Sequence, residues 1–189
     1  MSHMRVNIRQ SYLLLFLAFV TLGLYYPAIL GDFCVMDDTG WVVKMLNYSM
    51  ETDYSKILGI GGTSSYRRPL SRAIIYLVYK MSGEDPLLFH LFNVLVHLGS
   101  GILVFFLVKK LLGRESSSQW PALLAALLFL LHPVNVEAVA WISGYCAVTA
   151  TFCMLIGIYL HLGVQNDLKD WRLWAAALCY LLSLFCYEI

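Results

Sequence analysis

Pro-Leu-Leu-Phe-His-Leu-Phe-Asn-Val-Leu-Val-His-Leu-Gly-Ser-Gly-Ile-Leu-Val-Phe-Phe-Leu-Val, residues 86–108, holds no Asp, Glu, Lys or Arg and is closed by Lys109 and Lys110. It exceeds the roughly 20 residues that a helix needs to cross the hydrocarbon of a bilayer. Three polar side chains interrupt it, His90, Asn93 and His97, which recur at i, i+3 and i+7 and so share one helical face. The segment reads as a membrane span whose polar stripe is turned into a helix bundle and away from lipid.

Composition agrees along the whole chain. Of 189 residues, 60% are hydrophobic and 13% charged, with a mean hydropathy of +0.70, against about 45–50% and about 25% in a soluble domain. The fold class is all-α, a polytopic membrane bundle. Further apolar segments lie near residues 12–30, 120–136, 141–163 and 173–188, which with 86–108 makes five spans. The first follows Arg5 and Arg9 and is too long for a signal-peptide core, so it reads as an uncleaved helix. The third meets His132-Pro133 and is expected to run on through 134–136, and the fifth to run on past Ile189. Met1-Ser2-His3-Met4 reads as a vector-derived remnant. A net charge of +1 without a basic stripe excludes a nucleic-acid partner. Cys34, Cys146, Cys153, Cys179 and Cys186 lack any CxxC spacing and read as small packing residues.

If the spans alternate, Arg5, Arg9, Lys109, Lys110, Arg114, Lys169 and Arg172 fall on one side, which the positive-inside rule makes cytoplasmic. The N-terminus is then cytoplasmic. Residues 31–85, the turn 132–144 and Glu188 share the opposite, extracytoplasmic face. Within the long loop, residues 41–46 and 70–81 show helical apolar spacing broken by single cations, as in helices lying flat at a membrane interface, with a flexible turn at 59–65 between them. A re-entrant or spanning course for 70–81 is the alternative.

Charged groups at the membrane boundary need solvation, pairing or a use. Asp37 and Asp38 stand just beyond the first span, and the helix stop at His132-Pro133 is followed by Glu137 on the same face. Neighbouring side chains usually diverge, so one acid of the pair is expected to serve chemistry while the other fixes local structure. Of the stripe on residues 86–108, the bland reading is hydrogen bonding between helices. Two of its histidines lie about 10 Å apart along the axis, too far to chelate one ion unaided, so a divalent metal is not expected.

The stretches Phe33-Cys34-Val35-Met36-Asp37-Asp38, Tyr66-Arg67-Arg68-Pro69-Leu70, Phe89-His90 with Asn93 and His97, and His132-Pro133-Val134-Asn135-Val136-Glu137-Ala138-Val139-Ala140-Trp141 carry a resemblance. In order and spacing they resemble the transmembrane and tetratricopeptide-repeat family of protein O-mannosyltransferases, in the GT-C superfamily of membrane glycosyltransferases. The resemblance runs over residues 11–188 and implies the N-terminal part of a longer enzyme with more spans and helical repeats. It also implies a polyprenyl-phosphate sugar, with mannose expected, as donor and a protein hydroxyl as acceptor. Asp37 or Asp38 would be the catalytic base. Arg67 or Arg68 would meet the donor phosphate, whose oxygens suit the paired donors of a guanidinium. His90, Asn93, His97, His132, Glu137 and Glu188 would line the substrates.

The chain departs from the family pattern at Asn135, where a second His is usual, at Tyr145 and Ala147, where Arg and Asp are usual, and at Tyr187, where Lys is usual. Each departure removes a charge or a titratable group. The implied setting is an inner bacterial membrane, or the endoplasmic reticulum in a eukaryote, with the bilayer, the donor lipid and an acceptor protein as partners. A secondary transporter would place its charges near the midplane instead of at one water boundary, and a non-catalytic scaffold is a third reading.

Overall fold

A computed structural model describes residues 8–34, 38, 68–113, 118–164 and 168–187. Among them run seven α-helices and no strand: α1 (Ile8–Ile29), α2 (Pro69–Ser82), α3 (Pro86–Leu111), α4 (Gln119–Leu131), α5 (Val134–Ala140), a 3-10 turn (Ile142–Gly144), α6 (Tyr145–His161) and α7 (Trp171–Cys186). The expectations for residues 41–46 and 59–65, and for the side chains of Asp37, Arg67 and Glu188, fall outside the described residues.

The span read first from the sequence is α3, and its ends follow from its own residues. Asp85 accepts a hydrogen bond from the Leu87 amide at 3.0 Å, and Pro86 occupies the first turn, where a missing N–H costs nothing. Lys109 and Lys110 lie in the last turn, against the negative end of the helix dipole. Apolar around most of its circumference, α3 becomes the axis of the bundle, with α1, α2, α4, α5 and α6 packed on it. Leu17 of α1, Leu98 and Phe105 of α3, and Leu123 and Leu130 of α4 form one buried core. Tyr25, Val94, Val139 and Val148 form a second, joining α1, α3, α5 and α6. Large apolar side chains such as Tyr12, Phe19, Leu128 and Trp174 are exposed on the outside, as a lipid-facing surface requires.

Residues 9–29, α3 and residues 142–161 are each long and apolar enough to cross a membrane, and α4 with α5 makes a fourth crossing if that bent pair counts as one. The fifth expected span, α7, has 16 residues and a length of about 24 Å, short of the roughly 30 Å hydrocarbon core. With 14 residues, α2 is too short to cross.

The third segment does not continue straight through 134–136. Between α4 and α5 the axis turns by 64° at His132-Pro133. Pro133 has no N–H to give the Phe129 carbonyl and its ring clashes with the preceding turn. The bend thereby frees two carbonyls in the bundle, and two side chains replace the lost donors. Asn135 Nδ2 donates to Phe129 O at 2.7 Å, and His97 Nε2 meets Leu130 O at 3.2 Å. A carbonyl only accepts, so Nε2 is the nitrogen of His97 that carries hydrogen.

Cations gather at one end of the bundle. Lys109 Nζ donates to Gln10 Oε1 at 2.8 Å, Arg9 lies 5.7 Å from the centroid of the Trp120 ring, and Lys110 Nζ and Arg172 Nη1 cap the carbonyls of Tyr159 and Gly163 at 2.8 and 2.7 Å. The start of α1, the end of α3, the start of α4, the end of α6 and the start of α7 therefore share that end. At the opposite end the end of α1, the start of α3, the turn and the end of α7 meet.

Candidate functional site

At this second end residues 31–34 leave α1 and fold down on α3. Phe33 meets Phe89 edge to face, centroids 5.7 Å apart, and joins the buried cluster of Ile75, Phe89 and Ile142. Gly31 lies above His90, since a Cβ built on it would stand 3.7 Å from Nε2. His90 is 4% exposed, and among the described residues neither ring nitrogen has a hydrogen-bond partner.

Asp38 is 1% exposed. Its Oδ2 accepts from the Cys34 amide at 3.0 Å, and its Oδ1 accepts from the Ser143 amide at 3.0 Å and the Ser143 hydroxyl at 2.6 Å. One carboxyl group thus fastens the first loop to the turn ahead of α6. Burying such a group is costly unless its oxygens are met by donors, and three bonds of this kind meet them here. The turn is fixed from two other directions. Asn93, fully buried, donates through Nδ2 to Trp141 O at 2.9 Å and Ile142 O at 3.3 Å. Gly144 comes so close to Ala138 that a Cβ there would be driven into its backbone carbonyl, so only hydrogen fits.

From the other side α2 brings two arginines. Arg68 precedes the helix and lies 4.5 Å from the centroid of the Tyr187 ring, a cation–π distance. Arg72 is buried. Ser71 donates to the Cys186 carbonyl at 2.7 Å, which docks α2 on the last turn of α7. Tyr187 therefore stands beside Arg68.

The residues singled out in the sequence separate into two groups. Asp38, Arg68, His90 and Asn93 are assembled at this end. His97 is buried and stays on the stripe, but its ring serves the α4 carbonyl and packs edge-on against Tyr25 at 5.6 Å. His132 is exposed and its Nδ1 accepts from the Val134 amide at 3.2 Å, a local cap of α5. Glu137 is exposed, and among the described residues its carboxylate makes no hydrogen bond or ion pair. Neither touches Asp38. Sequence reasoning missed Ser143; a Ser-Gly step between two apolar runs, on the face shared with the acids, was the available signal. Among the described residues no three His, Cys, Asp or Glu side chains could hold a metal ion together. Of the cysteines, Cys146 and Cys186 are buried, Cys153 and Cys179 half-buried, and Cys34 is exposed instead of packed.

A cationic end, an apolar girdle and a polar opposite end define a multi-pass helical membrane protein. No family model and no solved structure matches the chain. It is similar, however, to Protein O-mannosyl-transferase tmtc2 of Xenopus laevis, 32% identical over 148 residues, and to Protein O-mannosyl-transferase TMTC2 of Homo sapiens, 30% identical over 150. These matches cover 74% and 75% of this chain and 17% of each relative. Protein O-mannosyl-transferase TMTC4 of Mus musculus is 30% identical over 176 residues, 82% of this chain and 23% of that protein. Over the matched region the chain is a homologue of the transmembrane and tetratricopeptide-repeat protein O-mannosyltransferases, and it spans about a sixth of the length of the TMTC2 relatives.

Proposed function

We propose that the protein takes part in glycosyl transfer from a polyprenyl-phosphate-linked sugar, mannose by the names of its relatives, to a hydroxyl of an acceptor protein at the extracytoplasmic membrane face. The observation that carries this reading is the Asp38 link, which draws the acidic first loop onto the end of the bundle where Arg68 and His90 also stand. In the reaction a Ser or Thr hydroxyl loses its proton to a first-loop carboxylate, Asp37 or Asp38, as its oxygen bonds the anomeric carbon. The bond from that carbon to phosphate breaks, and the polyprenyl phosphate leaves with the electron pair. General-base assistance of this kind is worth about 10²–10⁴ in rate.

Arg67 or Arg68 stabilises the charge that grows on the leaving phosphate. Asn93 and His97 are committed to backbone carbonyls, and of the α3 stripe His90 alone keeps both ring nitrogens without a partner among the described residues. Glu137, His132 and Glu188 are assigned to the acceptor side. No step in this scheme requires a metal. The 189-residue chain by itself is expected to be inactive.

The test is transfer of labelled mannose from polyprenyl-phosphate mannose to a Ser/Thr peptide by the full-length protein in liposomes. A mannosylated peptide is expected, with loss of product when either Asp37 or Asp38 is replaced by Asn to unequal extents. Absence of both donor binding and transfer, together with proton-driven solute uptake by the same liposomes, would replace this reading with a carrier.

A further inference from the structure

We infer that Ser143 is a positioning residue of the transfer site, acting through Asp38, and that Asp38 is an anchor instead of the base. Its chemical consequence rests on the sugar-transfer reading above; its structural part rests on the hydrogen bonds alone.

A general base must offer a lone pair to the acceptor hydroxyl at a hydrogen-bond distance of about 2.6–3.2 Å. Both oxygens of Asp38 already accept bonds from the protein, and at 1% exposure no open face is left for a substrate. Proton acceptance therefore falls to its chain neighbour Asp37.

Ser143 is suited to hold the anchor because its amide and its hydroxyl converge on one carboxylate oxygen. The amide is available because the chain is extended at Trp141 (φ −83°, ψ 126°) before the turn begins, which leaves the first N–H groups of the turn without partners in their own helix. The hydroxyl bond, at 2.6 Å, is the shortest of the three. Ser143 itself cannot drift, since Asn93 holds the carbonyls of Trp141 and Ile142 and Gly144 is seated on Ala138. The register of the first loop is thus copied from α3 and the turn, through Ser143, to Asp38 and the Cys34 amide.

Two readouts on the full-length protein test this. First, Ser143→Ala should lower kcat by about 10- to 100-fold, as expected for loss of a bond to a charged group, with the donor KM changed less than about 2-fold. Ser143→Thr, which keeps the hydroxyl, should restore kcat to within about 3-fold of wild type. Ser143→Val, the same shape as Thr without the hydroxyl, should behave as Ala does. The Thr–Val pair keeps the comparison if Ala folds poorly. Second, hydrogen–deuterium exchange at the Cys34 amide should rise at least about 10-fold in Ser143→Ala and Ser143→Val and stay unchanged in Ser143→Thr, while amides of α3 remain protected. Unchanged exchange at Cys34 overturns the inference whatever the enzyme does. So does a rise in exchange with kcat intact. An exchange response in a wild-type protein that transfers no sugar supports the anchor and counts against the transfer reading instead.

Discussion

Replacing Asn93 with alanine isolates the joint between α3 and the turn. The side chain is fully buried and donates two bonds, of 2.9 Å to Trp141 O and 3.3 Å to Ile142 O. Hydrogen bonds between membrane helices average about 0.6 kcal/mol and reach about 1.7. A carbonyl left with no donor in a buried place adds about 1–3 kcal/mol. That second penalty does not apply in full here. Trp141 O keeps the Gly144 amide at 3.0 Å, and Ile142 O keeps the Tyr145 amide. Asn93→Ala should therefore cost about 1–2 kcal/mol, including the small void it leaves. Asn93→Asp should cost more than alanine, because it replaces the donor with an oxygen facing two carbonyl oxygens in a buried site. Equilibrium unfolding of the chain in bicelles, titrated with a denaturing detergent, reads both variants. A loss above about 4 kcal/mol for alanine would mean that the carbonyls depend on Asn93 alone. An aspartate variant milder than alanine would refute the assigned donor.

Other expectations follow from close contacts and from sidedness. A Cβ at Gly101 would land on Cγ and both Cδ atoms of Leu130, so Gly101→Ala should lose about 1–3 kcal/mol. Combined with Leu130→Ala, its cost should shrink by more than the roughly 0.5 kcal/mol that separates additive from coupled sites, and simple additivity in the same unfolding assay would disprove the contact. At Gly144 the obstacle is the Ala138 backbone, not a side chain that can rotate, so Gly144→Ala should lower stability and raise exchange at the Ser143 amide. Unchanged exchange there would mean that the close approach is not maintained. Cys34 is exposed at the end carrying Asp38, whereas Lys169 adjoins the cationic end. A membrane-impermeant thiol reagent should label Cys34 and Glu137→Cys from one side of sealed vesicles, and Lys169→Cys, in a Cys34→Ser background, from the other. Labelling of all three from one side would break the proposed topology.

What the sequence disclosed depended on whether the deciding interaction was local. The course of α3 was legible because length, apolarity, Asp85-Pro86 and the terminal lysines all lie within the segment itself. The shared face of His90, Asn93 and His97 was legible for the same reason, since helical geometry alone fixes it. What each of the three meets was not, because their partners stand 33 residues or more away in sequence where they have any. His97 turns out to mend a helix end that Pro133 opened. The proline was visible, but not which side chain would reach the freed carbonyl. Asp38 was legible as a boundary acid in need of a partner, but not that the partner would be Ser143, which follows it in the chain after four helices. The third segment does run on into 134–136, but through a bend of 64°, because Pro133 lies inside the apolar run.

The Asp38–Ser143 link joins positions 105 residues apart, and the Ser71–Cys186 link joins positions 115 apart. At about 5–20 residues per second of synthesis, the ribosome needs about 5–20 s to make the later partner after the earlier one has emerged. Throughout that interval the newborn first loop has its carboxyl group but no seat for it. Insertion machinery or a chaperone on the exit side of the membrane has those seconds in which to hold the loop, and mutations that slow the arrival of the fourth apolar segment lengthen its exposure to proteases.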